Sequence, residues 1–298
     1  MKFGMLISIA IVVGVAGVVT VLMRGNPDKP TKKRSAPELF EVQSFDPSLP
    51  EIFSTTASGD AATEYKAALS RAKSGDIQGA AERLVSGMDL DKCSYGFLDN
   101  RMELRPGAQA QSLEGEMTKL FSGINKLVND SKRNGEQRIL YGRALWVFGK
   151  RVFENNLRLS IRNRGLLIMA SISGPLAEAA IEVGGLHGDV AQQLAPYMQA
   201  ISEIQRKWNT KTEVLISADP HVGDLINITQ KDKDKTFTLE GVLQLGVAQW
   251  TNRERGNLRV MDETITKYLT HEDQMIADAA KAAKSFTRED FRAAFGGG

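Results

Sequence analysis

Seven cations stand between Arg138 and Arg164, namely Arg138, Arg143, Lys150, Arg151, Arg158, Arg162 and Arg164, against one acid, Glu154. A local excess of six positive charges is the chemistry that grips lipid headgroups, an acidic partner or nucleic acid. Arg143, Lys150, Arg151, Arg158, Arg162 and Arg164 are therefore the candidate interaction surface. The competing reading is that acids elsewhere neutralise them, with Glu178, Glu182, Asp262, Glu263, Glu272 and Asp273 as the available partners. The interleaved aromatics Trp146, Phe148 and Phe153 have the spacing of core packing. On balance the stretch reads as a solvated or internally paired face.

Other candidates for chemistry are sparse. The three histidines are His187, His221 and His271, and two of them share a setting: Leu186-His187-Gly188-Asp189 and Pro220-His221-Val222-Gly223-Asp224. Two such loops converging could hold a metal or move a proton. The same residues are turn formers, with Asp189 and Asp224 read as caps of the helices that follow. No H-E-x-x-H pair, phosphate-binding glycine loop, dinucleotide turn or nucleophile elbow occurs. No catalytic, cofactor or metal residue is assigned. The single cysteine, Cys93, excludes an intramolecular disulfide and reads as a packing residue. With 38 basic and 36 acidic residues the chain is no polycation, so nucleic acid is not the favoured partner.

These residues must be positioned by the rest of the chain, which opens on an uncharged run from Phe3 to Met23. A helix of that length rises roughly 30 Å, the thickness of bilayer hydrocarbon, and satisfies its own backbone hydrogen bonds there. Residues 1–23 are expected to form a single transmembrane anchor, placing the chain in a bacterial inner membrane with the lipid bilayer as its first partner. A cleaved secretory signal is the rival, but the apolar run is long for one and lacks a clean small-residue site after it. Arg24, Lys29, Lys32, Lys33 and Arg34 follow the run, which biases the soluble part to the cytoplasmic side. Ala10 and Gly14 form a small-xxx-small pair compatible with oligomerisation.

Residues 24–58 carry prolines at 27, 30, 37, 47 and 50 and read as a flexible spacer. Helical periodicity starts at Ala61. It marks helices over Ala61–Lys73 and Ile77–Leu90, then an amphipathic stretch with Leu113, Met117, Leu120, Phe121, Ile124, Leu127 and Val128 on one face. Glu136–Asn155 and Leu157–Gly184 follow, the second broken at Ser173-Gly174-Pro175, where Pro175 suits the first turn of a new helix. Asp189–Trp208 carries Pro196 as a kink or restart. Between 210 and 238 the pattern changes, and Thr212–Ile216 and Thr236–Leu239 read as two short strands, or an exposed loop, around Lys231-Asp232-Lys233-Asp234-Lys235. Helices resume over Glu240–Thr251, Leu258–Leu269, Glu272–Lys284 and Arg288–Phe295, before a disordered glycine tail at 296–298.

The stretch Gly75-Asp76-Ile77-Gln78-Gly79-Ala80-Ala81-Glu82-Arg83-Leu84, continuing to Leu90-Asp91, resembles the second half of a tetratricopeptide repeat. The resemblance implies a turn at Gly75, close packing at Ala80 and Gly87, a large core residue at Leu84, and close approach from Ala68. It covers about residues 61–94. Lys92 stands where that family has proline, and no second copy follows, whereas an array needs several stacked units.

The expected fold is thus all-α, with a soluble helical-hairpin domain over 59–295 behind the anchor and spacer. The expected function is a membrane-anchored helical scaffold that binds another protein, as yet unspecified. An enzyme working through the His187/His221 loops, or a lipid or nucleic-acid surface binder using 138–164, are the alternatives.

Overall fold

Aspartates and an asparagine set where several helices begin, by accepting a hydrogen bond from the first turn. In a computed structural model, residues 57–99, 104, 111–184, 190–217, 220–251 and 255–295 are described. The anchor over 1–23, nearly all of the spacer, and the 296–298 tail lie outside those residues. Asp60 caps α1 (Ala61–Ser74), Asp76 caps α2 (Ile77–Met88) and Asn134 caps α4 (Gly135–Glu154). Between them lies α3 (Gln111–Asn129). Two short strands, β1 (Ala57–Asp60) and β2 (Leu90–Lys92), pair in parallel and flank the first hairpin.

The α1–α2 hairpin turns at Gly75, whose φ of +91° is a left-handed conformation that a side chain disfavours. Gly75 and Asp76 donate their N–H groups to the carbonyls of Ala72 and Arg71, closing the end of α1. Ala68, Ala80 and Leu84 are fully buried, and a Cβ at Gly87 would lie 2.7 Å from the Tyr65 ring. Next, α3 inserts Leu113, Met117, Leu120, Ile124 and Val128 into the core, the face expected from its spacing.

α5 (Leu159–Val183) runs unbroken through Pro175, contrary to the restart expected there. A proline removes one backbone donor and crowds the preceding turn. Here Ile172, Leu176, Ala179 and Ala180 are all fully buried, so packing on both sides of the proline holds the helix together. α5 lies against α4, and the two backbones touch where Gly149 faces Gly165. A Cβ at Gly165 would be 2.5 Å from the Gly149 carbonyl oxygen. Among the described residues α5 is also the one helix long and apolar enough to cross a membrane, with half of that window buried inside the protein. Its contacts with α3, α4 and α6 make it a core helix, which accounts for the composition.

α6 (Val190–Leu215) likewise continues through Pro196 and beyond Trp208. The strands expected near 212–239 are absent: Thr212–Leu215 is the last turn of α6, α7 spans Val222–Lys231, and Thr236–Leu239 opens α8 (Lys235–Thr251). The Thr-Phe-Thr-Leu alternation misleads because α8 is buried on nearly every side. Thr236, Phe237, Thr238 and Leu239 are all buried, so no two-residue periodicity of exposure exists. Asp234 accepts a hydrogen bond from Thr236 N–H at 3.0 Å and starts the helix. Asp224 is not a cap: it sits inside the first turn of α7, and His221 occupies the cap position. Around α8 pack α7, α9 (Arg255–Lys267), α10 (Gln274–Ser285, capped by Asp273) and α11 (Arg288–Phe295).

Candidate functional site

A cluster of buried charges lies where the start of α5 meets α6 and the α7–α8 turn. α5 has no side-chain cap of its own. Its open N–H groups are met by carboxylates brought from far along the chain. Asp99 accepts from Leu157 N–H at 2.7 Å and Arg158 N–H at 3.0 Å. Glu240, on α8, accepts from Leu159 N–H at 3.0 Å and from the Arg158 guanidinium at 2.9 Å. Negative charge at a helix N-terminus is favourable, which offsets part of the cost of burying these acids. Burial nevertheless pushes the Asp99 carboxyl above its ordinary range, against the lowering effect of its two backbone donors. Asn156 completes this corner, accepting from Leu98 N–H and donating to the Val152 carbonyl.

One turn into α5, Arg162 donates to the Phe153 carbonyl at 2.8 Å, to Asp234 at 2.7 Å and to the Thr236 hydroxyl. Its guanidinium carbon lies 4.5 Å from the Phe153 ring centre and 4.8 Å from that of Trp208, a sandwich that favours a weakly hydrated cation. On α6, the Lys211 ammonium donates to Asp232 and lies 4.5 Å from the Phe237 ring centre. Both side chains of this pair are 0% exposed. Burial pulls the lysine down and pushes the aspartate up from their ordinary values, each opposed by the partner's charge. The two aspartates of the Lys231–Lys235 run thus clamp α5 and α6 to the start of α8.

The six cations proposed as a surface do not form one. Arg158 is 2% exposed and Arg162 8%. Arg151 is buried and donates to the Gly87 and Leu90 carbonyls, tying α4 to the first hairpin. Lys150 pairs with Glu154 one turn on, and Arg143 is half-buried. Arg164, paired with Glu114 at 3.5 Å, keeps more than a third of its side chain in water. Of the acids expected to neutralise the stretch, Glu182 does so, pairing with Arg138.

His187 lies outside the described residues. His221 is largely exposed and 3.7 Å from Asp224, and the His271 ring nitrogen accepts from Asp273 N–H. Among the described residues no three His, Cys, Asp or Glu side chains are placed to hold a metal. Cys93 is half-buried, and desolvation pushes its thiol up to about 12, against the pull of Arg151. What sequence reasoning missed is Lys211, Asp232, Asp234, Asp99 and Glu240. One signal was available: Ile201, Ile204, Trp208, Lys211 and Leu215 recur at helical spacing, which puts a lysine on an apolar stripe.

No family model, curated protein or solved structure matches the chain. The cluster's chemistry is therefore read from its geometry. Its cations are closed off by carboxylates, carbonyls and aromatic rings. That arrangement holds α5 and α6 to the start of α8.

Proposed function

We propose that the chain is a membrane-anchored helical scaffold that mediates protein–protein interaction, with a first hairpin of the tetratricopeptide type. What supports this reading is the packing of helix on helix: α1 and α2 lean on α3 and α4, and α5 packs against α3 and α4. Stacked helical pairs offer extended preformed surfaces whose binding costs little ordering. The internal pairing of Arg158, Arg162 and Lys211 supports it further, because these charges stiffen the body rather than serve a reaction. The Phe3–Met23 run supports a fixed position at the bilayer, with the body on the cytoplasmic side. The tetratricopeptide likeness stays with residues 61–94. The hairpin helices have 14 and 12 residues, whereas α3 to α6 have 19, 20, 25 and 26.

The test is in-cell cross-linking of the full-length protein, read by mass spectrometry against a control carrying residues 1–56 on an unrelated domain. A reproducible partner whose cross-links map to the hairpin stack and are absent from the control is the expected result. Cross-links that match the control would refute the scaffold.

A further inference from the structure

The pairs Arg158–Glu240, Arg162–Asp234 and Lys211–Asp232 all cross one seam. On one side stand helices α1–α6, and on the other α7–α11, gathered around α8. α8 packs far more extensively on α7, α9 and α10 than on α5 or α6. The chain joins the two sides once, between Leu215 and Val222. Across the seam Phe237 meets Trp208 with ring centres 5.2 Å apart, and Gln244 donates to the Ser217 carbonyl at 2.8 Å. A further bond crosses it, from the exposed Tyr95 hydroxyl to Asp273 at 3.4 Å. Two buried atoms on the seam, Trp208 Nε1 and Asp234 Oδ2, have no hydrogen-bond partner.

We propose that α7–α11 undock from α1–α6 as one module, so that the protein has a closed and an open form. Ion pairs buried between two surfaces fix their register, yet roughly break even against apolar contacts of the same size. Units of one chain that meet through such a polar seam move relative to each other, whereas a large apolar interface would fuse them. The pairs hold the closed form rigid in a single arrangement. The two unpartnered atoms weaken it, because opening returns an indole N–H and a carboxylate oxygen to water. Undocking also bares Trp208, Arg158 and Arg162, a face that the closed form hides.

The three tryptophans supply the test on the purified full-length chain. Trp146 is 0% exposed within the N-terminal helices, Trp208 is 1% exposed on the seam, and Trp250 is 48% exposed. Oxidation by slowly generated peroxyl radicals is read at each by peptide mass spectrometry, at low conversion and in low urea. With Trp250 as the exposed reference, Trp208 should react at least about tenfold faster than Trp146, because opening below the global free energy reaches it alone. Its rate should change little with urea while that of Trp146 climbs, since undocking exposes far less surface than unfolding. Glu240→Ala should raise the Trp208 rate about thirtyfold, the effect of truncating one side of a buried interfacial pair. Glu240→Gln, which keeps the shape, should raise it less. Amides inside α8 should exchange more slowly than this opening would allow if the helix melted. Equal rates at Trp208 and Trp146 with a shared urea slope, or no response to either Glu240 variant, would overturn the proposal. So would α8 amides exchanging at the Trp208 opening rate, because the module would then be melting instead of undocking.

Discussion

Removing either member of the Lys211–Asp232 pair should be among the most damaging changes to this fold. Both side chains are wholly buried, so Asp232→Ala leaves an ammonium against the Phe237 ring without the carboxylate it donates to. Breaking a buried pair by deleting one partner costs about 3–5 kcal/mol. A domain of this size loses about 2–4 °C of melting temperature per kcal/mol, so Asp232→Ala or Lys211→Ala should melt roughly 6–20 °C lower. Removing both charges at once behaves differently. Lys211→Met with Asp232→Leu replaces the pair with apolar volume, and such replacements are neutral or stabilising by about 1–4 kcal/mol. The assay is thermal unfolding by circular dichroism on the two single variants and the double variant, closed as a double-mutant cycle. A double variant that melts above both singles confirms that the cost is the orphaned charge. Singles within about 0.5 kcal/mol of wild type, the range of ordinary surface changes, would show that the pair is not buried as described.

Three further outcomes are expected. Gly165→Ala should destabilise by about 1–3 kcal/mol through overpacking, since its Cβ would meet the Gly149 carbonyl and Phe153 N–H, whereas Gly115→Ala in α3 meets nothing and should stabilise by about 1 kcal/mol; urea midpoints separate the two. Asp60→Ala should cost about 1 kcal/mol at pH 7 by uncapping α1. The Asp60 carboxyl is held below its ordinary range, chiefly by the Ser94 hydroxyl, so its contribution is full above the unfolded value of 3.8 and is lost as pH falls through the folded one. The gap between variant and wild type in thermal unfolding should therefore close in strong acid. Cys93 should be alkylated at pH 8 at least about tenfold more slowly in the folded chain than in denaturant, because its raised pKa leaves little thiolate.

Local pattern revealed most helices that bury a single face, though not α7, which lies inside the stretch read as strands or loop. The α3 face and the limits of α11 follow from spacing, as does the Gly75 turn. It failed where burial is all-round or comes from distant chain. Thr236–Leu239 looks like a strand because α8 has no exposed stripe to reveal its period. The restart at Pro175 was overridden by packing, which no local rule contains. The fate of the 138–164 cations was similarly hidden. Glu240 answers Arg158 from 82 residues away and Asp234 answers Arg162 from 72, and only the meeting of α5 with α8 brings them together. Lys211 was the exception, since a cation within an apolar stripe requires a buried counterion.

The anchoring of a helical body at the bilayer is tested most directly by alkaline carbonate extraction of membranes from cells making the full-length chain. The expected result is that the protein stays in the pellet and that its body is cleaved by protease only after the cytoplasmic side is opened. Release of the intact chain into the carbonate supernatant would contradict the account.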